Sequence, residues 1–260
     1  MNKRLMFSAA LVMALLSANA QKRAFTIEDL YRVKGVSSVS LSPDGKTVCY
    51  TASSSDLKNQ KSGSDIYIMN ADGSHAKALT EDGKSSSAVW SKDGKSIFFT
   101  NYEKGTAQIF RMDLTTCETE QVTDYELGIG SPVISPDERY IAFTAEVYPD
   151  LGADAKANKA RMEKKEQGPV QAHIADKLLY RHWTSYNDGR CNHLILFDTQ
   201  TKTYKDLTPG NYSLIFVVGG GITYQFSPDS KEICFVSNHD EHQEASTNAD
   251  LWTVSVNGGE

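Results

Sequence analysis

Basic residues are in deficit in this sequence, 27 Lys and Arg against 33 Asp and Glu. A phosphate backbone is held by a positive surface, so nucleic acid is excluded as a partner. Cysteine is scarce, four in 260 residues, and a chain of this length can bury a core without disulfide staples. No apolar run beyond Ser17 approaches the roughly 20 residues of a membrane span, so no span is expected after the leader. Signatures of chemistry are missing as well. A Gly-x-Ser-x-Gly elbow, which sets a nucleophile on a strained turn, is absent. Gly45-Lys-Thr47, Gly83-Lys-Ser85 and Gly94-Lys-Ser96 each lack the Gly five residues earlier that a phosphate loop requires. Gly219-Gly-Gly221 precedes a strand pattern rather than a helix, which suits close passage of two backbones better than a dinucleotide.

What the sequence does have is a fourfold echo. Leu41-Ser-Pro-Asp-Gly-Lys-Thr-Val-Cys-Tyr50 returns at 90–99, at 134–143 and at 226–235. Pro presets φ at the second turn position, Asp suits the third, and Gly accepts a positive φ at the fourth. The residues that follow alternate. Val48, Ile97, Ile141 and Ile233 share one place, and Tyr50, Phe99, Phe143 and Phe235 the place two residues on. A period of two puts each pair on one face of a strand. A second module follows each turn-strand, as in Asp65-Ile-Tyr-Ile-Met-Asn70, the Asp72-Gly73 turn, and His75-Ala-Lys-Ala-Leu-Thr80. Its relatives are 108–123, 193–208 and the start of a fourth at 250–255.

The turn serines stand at 42, 91, 135 and 227. The first two intervals fit a blade of four strands, a unit of roughly 40–45 residues. The third is about one unit too long, and the excess lies in an insertion, 146–192. There Ala153–Glu166 is rich in helix formers and is closed by Gly168-Pro169. Five basic residues on that helix are interleaved with Asp154, Glu163 and Glu166, as on a solvated face. Apolar residues on both faces of the strands call for neighbouring sheets on both sides. The reading is all-β: a partial β-propeller of about four blades of four-stranded antiparallel sheet with a helical insertion, spanning 21–260. The fourth unit is incomplete, since its returning strand is missing after Asn257-Gly258.

The first twenty residues stand apart. Asn2-Lys3-Arg4, an apolar stretch from Leu5 to Ser17 and Ala18-Asn-Ala20 have the form of a signal peptide, 1–20, cleaved before Gln21. A periplasmic or secreted location follows as an expectation. After the leader, Thr26 and Asp29 are spaced to cap a short helix. Cys49 and Cys234 share one repeat position and are expected as separate buried thiols. Cys117 falls in a turn and Cys191 at the edge of the insertion, and neither is expected to pair.

Polar clusters are few. Asn238-His-Asp-Glu-His-Gln-Glu244 is dense in donors, and His182, Cys191 and His193 are near in sequence, but neither has zinc-site spacing. No residue is therefore assigned a catalytic, cofactor-binding or metal-ligating role, and no cofactor is expected.

Phe25-Thr-Ile-Glu-Asp-Leu-Tyr31, Val39-Ser-Leu-Ser-Pro-Asp-Gly-Lys46, Asp65-Ile-Tyr-Ile-Met69 and the insertion residues Lys177-Leu-Leu-Tyr-Arg-His-Trp183 belong to a larger pattern. Together they resemble the front part of exported bacterial serine peptidases of the prolyl oligopeptidase family, dipeptidyl-peptidase type. That resemblance implies an N-terminal propeller that gates and lines a substrate cavity for oligopeptides. It also implies a C-terminal α/β-hydrolase domain, absent from this chain, carrying a Ser-Asp-His triad. None of the triad positions exists here, so this chain alone is expected to be inactive. The alternative is a non-catalytic propeller of the Tol kind, a platform for binding proteins.

Overall fold

The computed structural model describes residues 23–176, 178, 180–214 and 223–259. The leader and Gly219-Gly-Gly221 lie outside the described residues. Thr26 opens a helix, α1 (Ile27–Arg32), and the Asp29 carboxylate accepts the Thr26 N–H at 2.9 Å, as the spacing predicts. Sheet 1 follows as β1 (Gly35–Leu41), β2 (Thr47–Asp56), β3 (Lys61–Asn70) and β4 (Lys77–Ala78). Sheet 2 is β5 (Ser85–Trp90), β6 (Ser96–Asn101), β7 (Gln108–Asp113) and β8 (Thr119–Gln121). Sheet 3 begins with β9 (Gly130–Ile134) and β10 (Tyr140–Val147). The insertion then contributes α2 (Ala155–Glu166) and a hairpin of β11 (Arg181–His182) and β12 (Ser185–Tyr186), before β13 (Cys191–Asp198) and β14 (Thr203–Asp206) complete the sheet. Sheet 4 has three strands among the described residues: β15 (Tyr224–Phe226), β16 (Glu232–Ser237) and β17 (Asp250–Ser255). Every pairing between neighbouring strands of these sheets is antiparallel, each sheet runs in chain order, and the four sheets form an arc that does not close. The partial propeller is borne out, with three four-stranded blades and, among the described residues, three strands of a fourth.

The repeated turn is a repeated hydrogen-bond device. In sheet 3 the Tyr140 N–H donates to Ser135 Oγ at 2.9 Å, while that hydroxyl donates to Asp137 at 2.6 Å. The Arg139 N–H donates to the same carboxylate at 3.1 Å. Ser42, Ser91 and Ser227 repeat the arrangement. The fourth turn residue is left-handed in all four copies, φ 72° at Gly45, 70° at Gly94, and 62° at both Glu138 and Ser230. The two side chains tolerated there reach the preceding blade. Glu138 accepts the Lys92 N–H, and Ser230 Oγ accepts the Asp137 N–H at 3.2 Å. At Gly94 a Cβ would stand 3.5 Å from Pro43 Cδ. The turns therefore abut one another from blade to blade, which is how the arc is spaced.

A second device closes each complete blade at its outer edge. Thr80, Thr123 and Thr208 each accept a third-strand N–H at 2.9 Å, from Ile66, Ile109 and Leu194 respectively. The aliphatic residue before each threonine donates its N–H back to the same third-strand residue's carbonyl.

Between blades the strands alternate as the period of two requires. Cys49 and Ile66 of sheet 1 pack with Ile97, Phe99 and Met112 of sheet 2. Phe98 and Ile109 meet Ile141, Phe143, Ile195 and Phe197 of sheet 3. Ala142, Leu194 and Leu196 meet Phe226, Ile233, Phe235 and Val254 of sheet 4. Only one of the two thiols expected to be buried is so. Cys49 is fully buried but Cys234, at the same repeat position, is half-exposed. That position faces the next blade, and among the described residues nothing stands beyond sheet 4. All four cysteines are free.

Candidate functional site

Strand order divides the arc into two rims. The Ser-Asp turns join first to second strands and lie with the third-to-fourth turns on one rim. Connections from second to third strands, and from each blade to the next, lie on the other. That second rim gathers α1, the insertion, the loop 207–214 and the loop 238–249. Loops on a rigid scaffold are where binding residues concentrate, so this rim is the candidate site.

The insertion is pinned to sheet 3. Asn158 of α2 is fully buried; its Oδ1 accepts the Tyr148 N–H at 2.6 Å, and its amide donates to Gly152 O and Asp154 O. Arg161 makes two 2.7 Å hydrogen bonds to Asp150 and lies over the Tyr148 ring. The helix's basic residues are largely engaged by acids of the insertion and its surroundings: Lys159 with Glu126, Lys165 with Asp188. Asp188 also accepts from His173, whose ring stacks on Tyr186 of the hairpin at 3.8 Å. Val170, Ile174, Leu178 and Trp183 project from this arm into solvent. The arm adds shape and apolar surface to the rim.

Beside it lies a buried histidine. His193 is fully buried, and Nδ1 meets Asp206 Oδ2 at 2.7 Å while Nε2 meets Gly210 O at 3.0 Å. Burial works against its proton, but the bond and charge of Asp206, with a smaller contribution from Cys191, outweigh burial and push its pKa up to about 9. A His–Asp pair suggests a charge relay. This one has no nitrogen left for a hydroxyl nucleophile, since Asp206 and the Gly210 carbonyl take both. Sequence reasoning passed over it. The available signal was a break in the repeat: His193 and Asp206 stand where sheet 2 has Gln108 and Gln121.

The loop 238–249 borders an open cavity of 760 Å³ lined by Asp240, Glu241, His242, Ala245, Ser246, Thr247 and Asn248. Of its two acids, Asp240 accepts from Ser246 and Asn248, bonds that hold its carboxyl below the usual range. Among the described residues no three His, Cys, Asp or Glu side chains are placed to hold a metal ion. Cys191 and His193 do come together, whereas the side chain of His182 lies outside the described set. The rim thus offers shape, apolar surface and hydrogen-bonding loops.

Comparison with known proteins agrees with this architecture. A family model described as the TolB beta propeller domain, PD40, matches residues 19–167. Dipeptidyl-peptidase 5 of Porphyromonas gingivalis is 29% identical over 231 residues, covering 86% of this chain and 33% of that protein. The chain therefore spans about a third of the length of the curated relatives it matches. Among solved structures, the Pyrococcus horikoshii acylaminoacyl peptidase superposes with a TM-score of 0.62 at 18% identity, over 88% of this chain and 32% of that one. TolB from Acinetobacter baumannii gives 0.51 at 20% identity, over 85% and 41%. The expected resemblance to the front part of dipeptidyl-peptidase-type enzymes is borne out.

Proposed function

The chain belongs to the TolB β-propeller (PD40) family, and from that premise we propose that it is the propeller part of an exported serine peptidase of the dipeptidyl-peptidase type. In this reading the 1–20 leader takes the protein to the periplasm or the medium. The loop rim faces a C-terminal α/β-hydrolase domain encoded downstream, and oligopeptides reach the reacting serine only through the cavity that the rim fences. The propeller selects by size and contributes contacts, and the chemistry belongs to the other domain.

One observation carries the proposal. The likeness to dipeptidyl-peptidase 5 extends over 86% of the chain, a span long enough to contain the 146–192 insertion as well as the generic turn repeat. The PD40 match and the TolB superposition favour a second reading, a protein-binding platform without catalysis. Extending the gene sequence past Glu260 separates the two. A Gly-x-Ser-x-Gly run followed by Asp and His supports the peptidase, and a stop codon soon after one closing strand supports the platform. The purified chain from Gln21 onward is expected to leave dipeptidyl chromogenic substrates intact under either reading. Turnover by it would place chemistry on the propeller itself and end the proposal.

A further inference from the structure

One series of contacts runs from the middle of sheet 3 to the last strand of sheet 4. It starts at His193. Asp206 and the Gly210 carbonyl can only accept hydrogen bonds, so both ring nitrogens must carry hydrogen and the ring is an imidazolium. Asp206 is fixed in turn by the Thr208 N–H at 3.0 Å. Gly210 has φ 146°, and a Cβ there would stand 2.5 Å from Tyr212 Cε1, so the backbone at 210 is pressed beneath the Tyr212 ring. The Tyr212 hydroxyl donates to Pro209 O at 3.1 Å. That ring lies 3.9 Å from His239, and His239 stacks on Trp252 at 4.0 Å. Trp252 Nε1 donates to Ser237 O at 3.2 Å.

We propose that His193 is a protonation-dependent latch on this rim: its doubly donating ring holds down loop 207–214, and through Tyr212 keeps the His239–Trp252 stack of sheet 4 in place. A neutral ring has one N–H. Whichever partner keeps it, the other nitrogen then points a lone pair at an acceptor, and the contact to Asp206 or to Gly210 is lost. Gly210 is the weaker partner because it carries no charge. The segment 209–212 then lifts and Tyr212 leaves His239, while Leu207, Thr208 and Leu214 stay in the core between sheets 3 and 4.

The groups facing His193 are Cys191 on its own strand and Asp206 on β14. Tyr125 and Tyr212 feel the Asp206 charge, and burial first, then that charge, push both phenols upward. The latch is complete below the unfolded histidine value, near 6.5, and is lost as pH rises through about 9. The inference does not depend on the peptidase reading.

The test uses the chain labelled with 5-fluorotryptophan, whose three tryptophans give three ¹⁹F resonances, that of Trp252 identified with Trp252→Phe. Between about pH 6 and about pH 10.5 the Trp252 resonance is expected to shift with a midpoint near 9 while those of Trp90 and Trp183 stay in place. His193→Gln is expected to hold the Trp252 resonance at its high-pH position throughout, and Cys191→Ser to keep the transition, which excludes the thiol as its source. Gly210→Ala displaces Tyr212 directly, so it should move the Trp252 resonance at every pH while the sheets stay folded by circular dichroism. It serves as the second variant if His193→Gln fails to fold. A Trp252 resonance indifferent to pH, a transition that survives in His193→Gln, or a Gly210→Ala resonance matching the wild type would each overturn the latch.

Discussion

Replacing Thr123 by Val keeps the shape of the side chain and removes one hydroxyl. Thr123 is 1% exposed. Its Oγ accepts the Ile109 N–H at 2.9 Å and donates to Gln108 Oε1 at 2.9 Å. In the variant Gln108 Oε1 keeps the Tyr125 N–H, but the Ile109 N–H is left buried without its acceptor. A stranded buried donor costs about 1–3 kcal/mol. With a urea slope of about 1–3 kcal/mol per molar, the unfolding midpoint should fall by about 1 M at unchanged slope. Thr208→Val should behave alike, since Thr208 is buried and holds the Leu194 N–H in the same way. Thr80 sits in the same place in sheet 1 but is half-buried, and Asp65 keeps the Gly83 N–H when the hydroxyl goes. Water can replace what is lost there, so Thr80→Val should cost less than about 1 kcal/mol. Urea titrations of the four proteins decide. A Thr123→Val midpoint equal to the wild type, or a Thr80→Val loss as large as that of Thr123→Val, would refute the idea that these threonines lock the outer strands by burial.

The turn positions give a paired prediction. Gly94→Ala puts a Cβ at φ 70° against Pro43 and should destabilise by about 1–2 kcal/mol in thermal or urea unfolding. Glu138→Gly relieves strain at φ 62° while losing the bond to Lys92, so it should come out near neutral, and Glu138→Ala, which loses the bond and keeps the strain, should be the worse of the two. Thiol labelling of the native chain should find Cys117 fastest, with Cys191 and Cys234 slower. Cys49 should be protected until unfolding, being fully buried with its pKa pushed up to about 11 by that burial. Labelling of Cys49 in the native chain would show that sheets 1 and 2 do not pack as described.

The blades were legible because their signals are local. A turn of four residues and the alternation after it fix a hairpin without help from the rest of the chain, and four copies fix the architecture. The aliphatic-Thr pairs at 79–80, 122–123 and 207–208 were visible as echoes, but their role needed the third strand beside them. Cys234 shows where periodicity stops: it assigns a residue to a face and cannot say whether another sheet covers that face. The rim was least legible. Tyr212, His239 and Trp252 meet through two loops, and Asp206 reaches His193 across a strand pair inside which nothing in the local sequence demands a charge. In the insertion the helix could be read from composition, whereas the β11–β12 hairpin, of two residues per strand, carries too little pattern to show.

In the proposed function, the reacting serine stands on a downstream domain and the propeller only guards it. The direct test is fluorophosphonate labelling of the intact gene product, with the labelled peptide located by mass spectrometry. A single labelled serine beyond residue 260 and loss of dipeptidyl hydrolysis on labelling are expected; a label within residues 21–260, or an intact product that takes no label, would contradict the guarding role.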